Sequence, residues 1–223
     1  MSIDVVTVDG PAGAGKSVAT RALASRLGIE YLNTGAMYRA IALKALRLGL
    51  DLQNEELLNK VARESTLESR QGRTFLDGED VTDAVRAQEI SRLVRYPAGA
   101  PSVRETLVEL QRKIGLERPI ATEGRDQGTV VFPDAACKFY LTASPEERAR
   151  RRLGELERRG ESAPFEEVLA QIVERDRGDS NREIGPLREP EDAIRVESDG
   201  KSIEQVVGEM ERAARERLSF LRR

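Results

Sequence analysis

The chain predicts an α/β fold of three layers, a five-stranded parallel sheet between helices, on three observations. Five short, mostly apolar segments, at residues 3–8, 29–32, 119–123, 136–141 and 193–197, read as strands. Helical stretches separate them, and strands joined through helices pair in parallel. Between the first strand and the first helix stands Gly10-Pro11-Ala12-Gly13-Ala14-Gly15-Lys16-Ser17, the G-x-x-x-x-G-K-S pattern. Pattern and context together make this a phosphate-binding loop, and the predicted fold that of a P-loop NTPase.

Ile3-Asp4-Val5-Val6-Thr7-Val8 is β-branched and suits the first strand. From Val18 to Leu27 the apolar residues fall at 19, 22, 23 and 27, a helical spacing that Gly28 ends as a C-cap. Ile29-Glu30-Tyr31-Leu32 makes a second strand, and Asn33-Thr34-Gly35 a turn with Thr34 as candidate N-cap of a helix over 36–48. A further helix is predicted over 54–63.

Between 65 and 83 polar and apolar residues alternate. Thr66–Arg70 and Thr74–Asp77 read as a hairpin about Gln71-Gly72-Arg73, with a turn at Asp77-Gly78-Glu79-Asp80. Thr82 or Asp83 caps a predicted helix to about Val94. Pro97-Ala98-Gly99-Ala100-Pro101 breaks the chain, and a helix resumes over 102–114. After the strand 119–123 comes Gly124-Arg125-Asp126-Gln127-Gly128, which sets a cation and an anion at the tip of a core strand. Ser144-Pro145-Glu146-Glu147 opens a helix rich in arginine, at 148, 150, 151, 152, 158 and 159, before Gly160. Helices over 165–177 and 202–218 flank the last strand. The expected partition is one domain, 1–223: a core of about 1–63, 100–143 and 183–223, an insertion of about 64–99, and a lid of about 144–182.

Composition narrows the chemistry. The chain has 223 residues, 39% hydrophobic and 4% aromatic, with no Trp and no His. Its core must be aliphatic, and no histidine can serve as base or metal ligand. The 39 acidic and 36 basic residues leave a net charge of −3, unlike a nucleic-acid binder. One cysteine, Cys137, rules out an intrachain disulfide and reads as a buried thiol. No apolar run approaches the ~18 residues of a membrane span. With the first strand starting near the N-terminus there is no room for a signal peptide, so a cytoplasmic location is expected.

At the glycine loop, successive N–H groups and a helix start favour phosphate oxygens. Lys16 can reach the β- and γ-phosphates of a nucleoside triphosphate, and the Ser17 hydroxyl can ligate Mg²⁺. The Asn-Lys-x-Asp motif of GTPases is missing, and an acceptor turn at 33–39 with a candidate lid favours a small kinase. Three simpler readings stay open: Arg104 pairing with Glu105, Arg175 with Asp179 as an i,i+4 pair, and Asp126 as a helix N-cap.

The motifs Val8–Ser17, Thr34-Gly35-Ala36-Met37-Tyr38-Arg39, Gly124–Asp134 and Glu174-Arg175-Asp176 together resemble those of the bacterial-type cytidylate kinase family. The resemblance runs from about Ile3 to the C-terminus, and the 65–83 segment is similar to that family's enlarged monophosphate-binding region. It implies ATP-dependent phosphorylation of CMP and dCMP with Mg²⁺, by a monomer. Gly10, Pro11, Ala12, Gly13, Ala14, Gly15, Lys16, Ser17 and Val18 would hold the ATP phosphates, with Ser17 on Mg²⁺ partly through water. Thr34, Arg39, Arg104, Arg125, Asp126, Arg175, Asp179 and Arg182 would bind the acceptor, with Arg39 and Arg104 on its phosphate and Arg175 and Asp179 on its pentose. Arg151, Arg152 and Arg158 of the lid would join Arg182 over the transferring group. Lys16, Arg125 and Arg182 are the residues expected to carry catalysis. Asn33, Arg95, Gln127 and Val18 depart from the family's usual residues, and Arg95 bears on the choice of base.

Overall fold

The computed structural model describes residues 3–70, 72–158 and 160–218; Gln71 of the expected turn and Arg159 of the arginine run lie outside them. β1 (Ile3–Asp9) is the middle strand of a five-stranded sheet. With β2 (Glu30–Asn33), β6 (Ile120–Gly124), β7 (Ala135–Thr142) and β8 (Ile194–Glu197), the order is β2-β6-β1-β7-β8. Every pairing is parallel, as predicted. A parallel sheet is buried on both faces. In β1, Val5 enters one apolar cluster while Val6 and Val8 enter the other.

On the Val6 and Val8 face, α1 (Lys16–Leu27) packs against α9 (Ile203–Arg217), through residues such as Leu23, Val207 and Met210. On the opposite face lie α2 (Thr34–Arg47), α3 (Glu55–Arg63) and α6 (Pro101–Glu117), through Ile41, Leu58 and Leu107. Cys137 is buried on β7, which pushes its thiol up to about 12. No helix among the described residues is long and apolar enough to cross a membrane.

Several boundaries differ from expectation, each for a local reason. The N-cap of α2 is Asn33, whose Oδ1 accepts from the Ala36 N–H at 3.0 Å. Thr34 is therefore the first helical residue, and its hydroxyl is left for β6. The insertion has three antiparallel strands: β3 (Leu67–Arg70), β4 (Arg73–Leu76) and β5 (Glu79–Asp80). Asp77 and Gly78, at φ 52° and 84°, make the whole turn in the left-handed form that hairpins favour. Residues 79 and 80 are thus free to pair with β4.

The expected helix to Val94 is broken into a 3₁₀ turn (Ala84–Arg86) and α4 (Gln88–Leu93). Val85 and Ile90 are both buried, and five residues apart on one helix they would point about 140° away from each other. The break at Ala87 turns both inward. Pro97 does not break the chain as expected but lies in α5 (Arg95–Gly99), in a first turn whose N–H groups have no intrahelical acceptor. Pro101 likewise begins α6. Gln127–Val131 forms a π-helical turn, so the chain after Asp126 is helical where only a turn over 124–128 or an N-cap at Asp126 was expected.

The segment expected to be a lid is a helical pair, α7 (Pro145–Glu157) and α8 (Phe165–Ser180). Ser144 caps α7, accepting from the Glu147 N–H at 3.3 Å. The pair has its own small core around Ala149, Leu156 and Val168. α8 runs past Arg177 to Ser180, which buries Asp179.

Candidate active site

The glycine loop leaves the carboxyl end of β1 under close steric constraint. Gly10 sits at φ 146°, and a Cβ there would overlap the Leu141 carbonyl on β7. Gly15 is the N-cap of α1 and offers no side-chain acceptor. The first N–H groups of α1 therefore keep unpaired hydrogen-bonding capacity beside the positive end of the helix, a site suited to an anion. Lys16 is 5% exposed and folds back to donate to the Pro11 carbonyl at 2.7 Å. Burial, followed by the nearby Arg125 charge, lowers its pKa to about 7. An anion in the loop would oppose that shift by favouring the charged ammonium.

Beside the loop, the Ser17 hydroxyl donates to Glu123 Oε1 at 2.7 Å, and the Tyr31 hydroxyl donates to the same oxygen at 3.2 Å. Thr34 Oγ1 donates to the Glu123 carbonyl at 2.7 Å. A hydroxyl next to a carboxylate is the hard-oxygen donor set that Mg²⁺ takes. Sequence reasoning named Ser17 but passed over Glu123. The signal was present: Glu123 is a charged residue near the end of an otherwise apolar, buried strand.

Across the sheet end, Arg125 Nε donates to Asp179 Oδ2 at 2.6 Å, and Arg182 donates to Asp179 Oδ1. Burial presses Asp179 upward, but Arg125, Arg182 and Arg175 outweigh it and hold the carboxyl below its ordinary range. Burial lowers the Arg175 pKa, and the neighbouring Arg125 lowers it further. Three sequence-predicted arginines, from the turn after β6, from α8 and from the segment after it, therefore surround the carboxylate of a fourth such residue, Asp179.

Arg104 pairs with Asp126 rather than Glu105, with the two side chains only 6% and 8% exposed. The Arg104 guanidinium also lies 5.8 Å from the centroid of the Tyr38 ring. Burial raises the Asp126 pKa, against the pull of Arg104. Asp126 does occupy an N-cap position, but its side chain makes no capping bond. A strap following α8 covers this pair. Leu187 N–H bonds the Asp179 carbonyl at 2.8 Å, and Gly185, at φ 62°, lies so close that a Cβ would overlap Arg104 Nη2 and Asp126 Oδ2. Arg39 lies against Gly35 with a buried Nε that has no hydrogen-bond partner. Burial lowers its pKa.

The lid arginines divide. Arg151 lies along the glycine loop, bonding Ala14 O at 3.4 Å, Ser198 O at 2.7 Å and Glu147 at 3.0 Å. Arg152 pairs with Glu155 at 3.0 Å and Arg158 donates to Gly154 O at 2.9 Å, so neither bonds the loop. Arg148, which the sequence reading did not single out from its run, is a second tie between α7 and the loop. It donates to Ala12 O at 3.0 Å and makes a two-pronged pair with Asp176 of α8 at 3.0 and 2.6 Å.

A glycine loop, a hydroxyl–carboxylate pair and a ring of arginines at the carboxyl ends of a parallel sheet define a P-loop phosphotransferase. Among solved structures, a gluconokinase from Sinorhizobium meliloti shares the fold at TM-score 0.50 and 15% identity, over 98% of this chain and 95% of that one. The family profile described as cytidylate kinase matches residues 6–216. The cytidylate kinase of Geobacter sp. (strain M21) is 47% identical over 96% of this chain and 94% of its own. That of Caldanaerobacter subterraneus subsp. tengcongensis is 49% identical, covering 94% of each chain. The chain belongs to the cytidylate kinase family.

Proposed function

We propose that the chain transfers the γ-phosphoryl group of ATP to CMP and dCMP, giving CDP and dCDP, with Mg²⁺ as its metal ion. The observation that carries the reading is the shared sheet end: the glycine loop with Lys16 opens beside the cluster of Arg125, Arg175 and Arg182 around Asp179. One side suits a triphosphate, the other an anionic acceptor.

Gly10–Val18 hold the ATP phosphates, and Lys16 leaves Pro11 O to reach the β- and γ-phosphates. Ser17 and Glu123 would hold Mg²⁺, which would supply positive charge against the triphosphate. Arg39 and Arg104 take the acceptor phosphate, Thr34 and Asp126 the nucleoside side, and Arg175 and Asp179 the pentose. Arg125 and Arg182 stabilise charge on the transferring group. The attacking atom is already an anionic phosphate oxygen, so transfer needs alignment and charge stabilisation rather than a general base. That suits a chain with no His.

Of Arg151, Arg152 and Arg158, the first already bonds the glycine loop, whereas the other two would reach the phosphates only when α7 swings inward. Closure of α7 and α8 excludes water, which otherwise would compete as acceptor. The core, the 64–99 insertion and the 144–182 lid are the three working parts, in a cytoplasmic monomer.

An ADP-release assay with ATP, Mg²⁺ and CMP, dCMP, UMP, AMP, GMP or shikimate tests this. Turnover is expected on CMP and dCMP, with little on the others, and Lys16→Ala is expected to abolish it while the protein stays folded. Preference for another acceptor would overturn the base assignment, and full activity in Lys16→Ala would overturn the role of the loop.

A further inference from the structure

Asp9, the last residue of β1, is wholly buried, and a carboxylate is costly to bury without partners. Its two oxygens accept two successive backbone N–H groups from another part of the chain. Oδ1 takes Gln127 N–H at 2.9 Å and Oδ2 takes Gly128 N–H at 2.7 Å. Those residues begin the π-helical turn Gln127–Val131, whose leading N–H groups have no acceptor inside the turn.

The natural residue to satisfy them is Asp126, which stands in the N-cap position and is of a type that caps well. Its side chain is instead engaged by Arg104. Capping has thus passed to a strand 118 residues away in sequence. The sheet makes this possible, because Asp9 is in register with Gly124 at the end of β6, where the turn departs. The turn also lies close over β1: a Cβ on Gly128 would come within 2.9 Å of Thr7 Oγ1.

We propose that Asp9 is a positioning residue for the acceptor side of the site, holding the 125–128 turn so that Arg125 and Asp126 stay placed, with their partners Asp179 and Arg104, where the acceptor binds. Asp9 is bonded covalently to Gly10 of the donor loop and by two hydrogen bonds to the acceptor turn. One residue therefore sets the spacing between the two half-sites. This inference rests on the proposed function only in taking Arg125 and Asp126 as acceptor contacts.

Asp9→Asn is the discriminating variant, since it keeps shape but turns one acceptor into an NH₂ group facing a backbone N–H. KM and Kd for CMP should rise by about tenfold or more, while KM for ATP moves by less than about threefold. Hydrogen exchange at the Gln127 and Gly128 amides should accelerate relative to the rest of the sheet. CMP and ATP constants rising together, or neither changing, would overturn the positioning role. If the variant does not fold, exchange in the unmodified chain decides: the two amides must be among the slow ones, and fast exchange overturns the inference. Wild-type protein inert towards CMP would refute the proposed function, whereas the exchange measurement tests Asp9 in either case.

Discussion

Replacing Gly185 by alanine should strike the acceptor side of the site through the backbone. Gly185 has φ 62°, and an L-residue in that region costs about 1–2 kcal/mol. The new methyl would also overlap Arg104 Nη2 and Asp126 Oδ2, so the strap must lift or the buried pair must part. Removing one partner of such a pair costs about 3–5 kcal/mol, and parting it costs less. The expected loss of stability is therefore about 2–4 kcal/mol, with a raised KM for CMP. Gly208→Ala is the matched control. That glycine lies in the middle of α9, and a Cβ added there would meet nothing within 4 Å, so alanine should stabilise by up to about 1 kcal/mol. Urea unfolding of both variants, with CMP kinetics on each, reads the difference. If Gly185→Ala stays within about 0.5 kcal/mol of wild type with unchanged KM for CMP, the strap does not rest on the Arg104–Asp126 pair.

Two further outcomes are expected. Arg148→Met removes the bonds from α7 to Ala12 O and Asp176, leaving Arg151 and the small core to hold the helical pair; limited proteolysis within 144–182 should quicken, and unchanged cleavage would count against that tie. Burial raises Asp9 from 3.8 to about 7, so the folded chain binds a proton there that the unfolded chain has lost. Its contribution to stability is full below pH 3.8 and falls as pH rises through about 7, by at most about 4 kcal/mol. The stability of wild type relative to Asp9→Asn should decline across that interval, and parallel pH curves would exclude it.

Much of the architecture was legible because local signals agreed with the global fold. The glycine loop, the apolar strands and the Ser144-Pro145 helix start each had one plausible context, and all of them form. Sequence reasoning failed where a boundary depended on a distant partner. The break at Ala87 follows from burying both Val85 and Ile90. Pro97 was read as a stop because its own signal is strong, yet a first helical turn tolerates it.

The site divides along the same line. Residue types in the glycine loop and the 124–128 turn announced anion chemistry, because few other uses suit a lysine after glycines or a cation–anion pair at a strand tip. The family motifs extended this to the acceptor residues. Long-range pairing was invisible. Nothing local distinguishes Arg148, which joins lid to loop, from Arg152, which pairs with Glu155 on the surface. Nor does position alone say that Glu123 receives the Ser17 hydroxyl, or that Asp9 caps a turn on a neighbouring strand.

By itself, then, the sequence determined the parallel α/β frame, the phosphate loop and the supply of cations, since these follow from periodicity and from residue chemistry along the chain. Only the tertiary structure decided which carboxylate each arginine meets and which buried groups hold the loops in place. A hydrogen bond depends on distance and angle, and packing sets both between residues far apart in sequence.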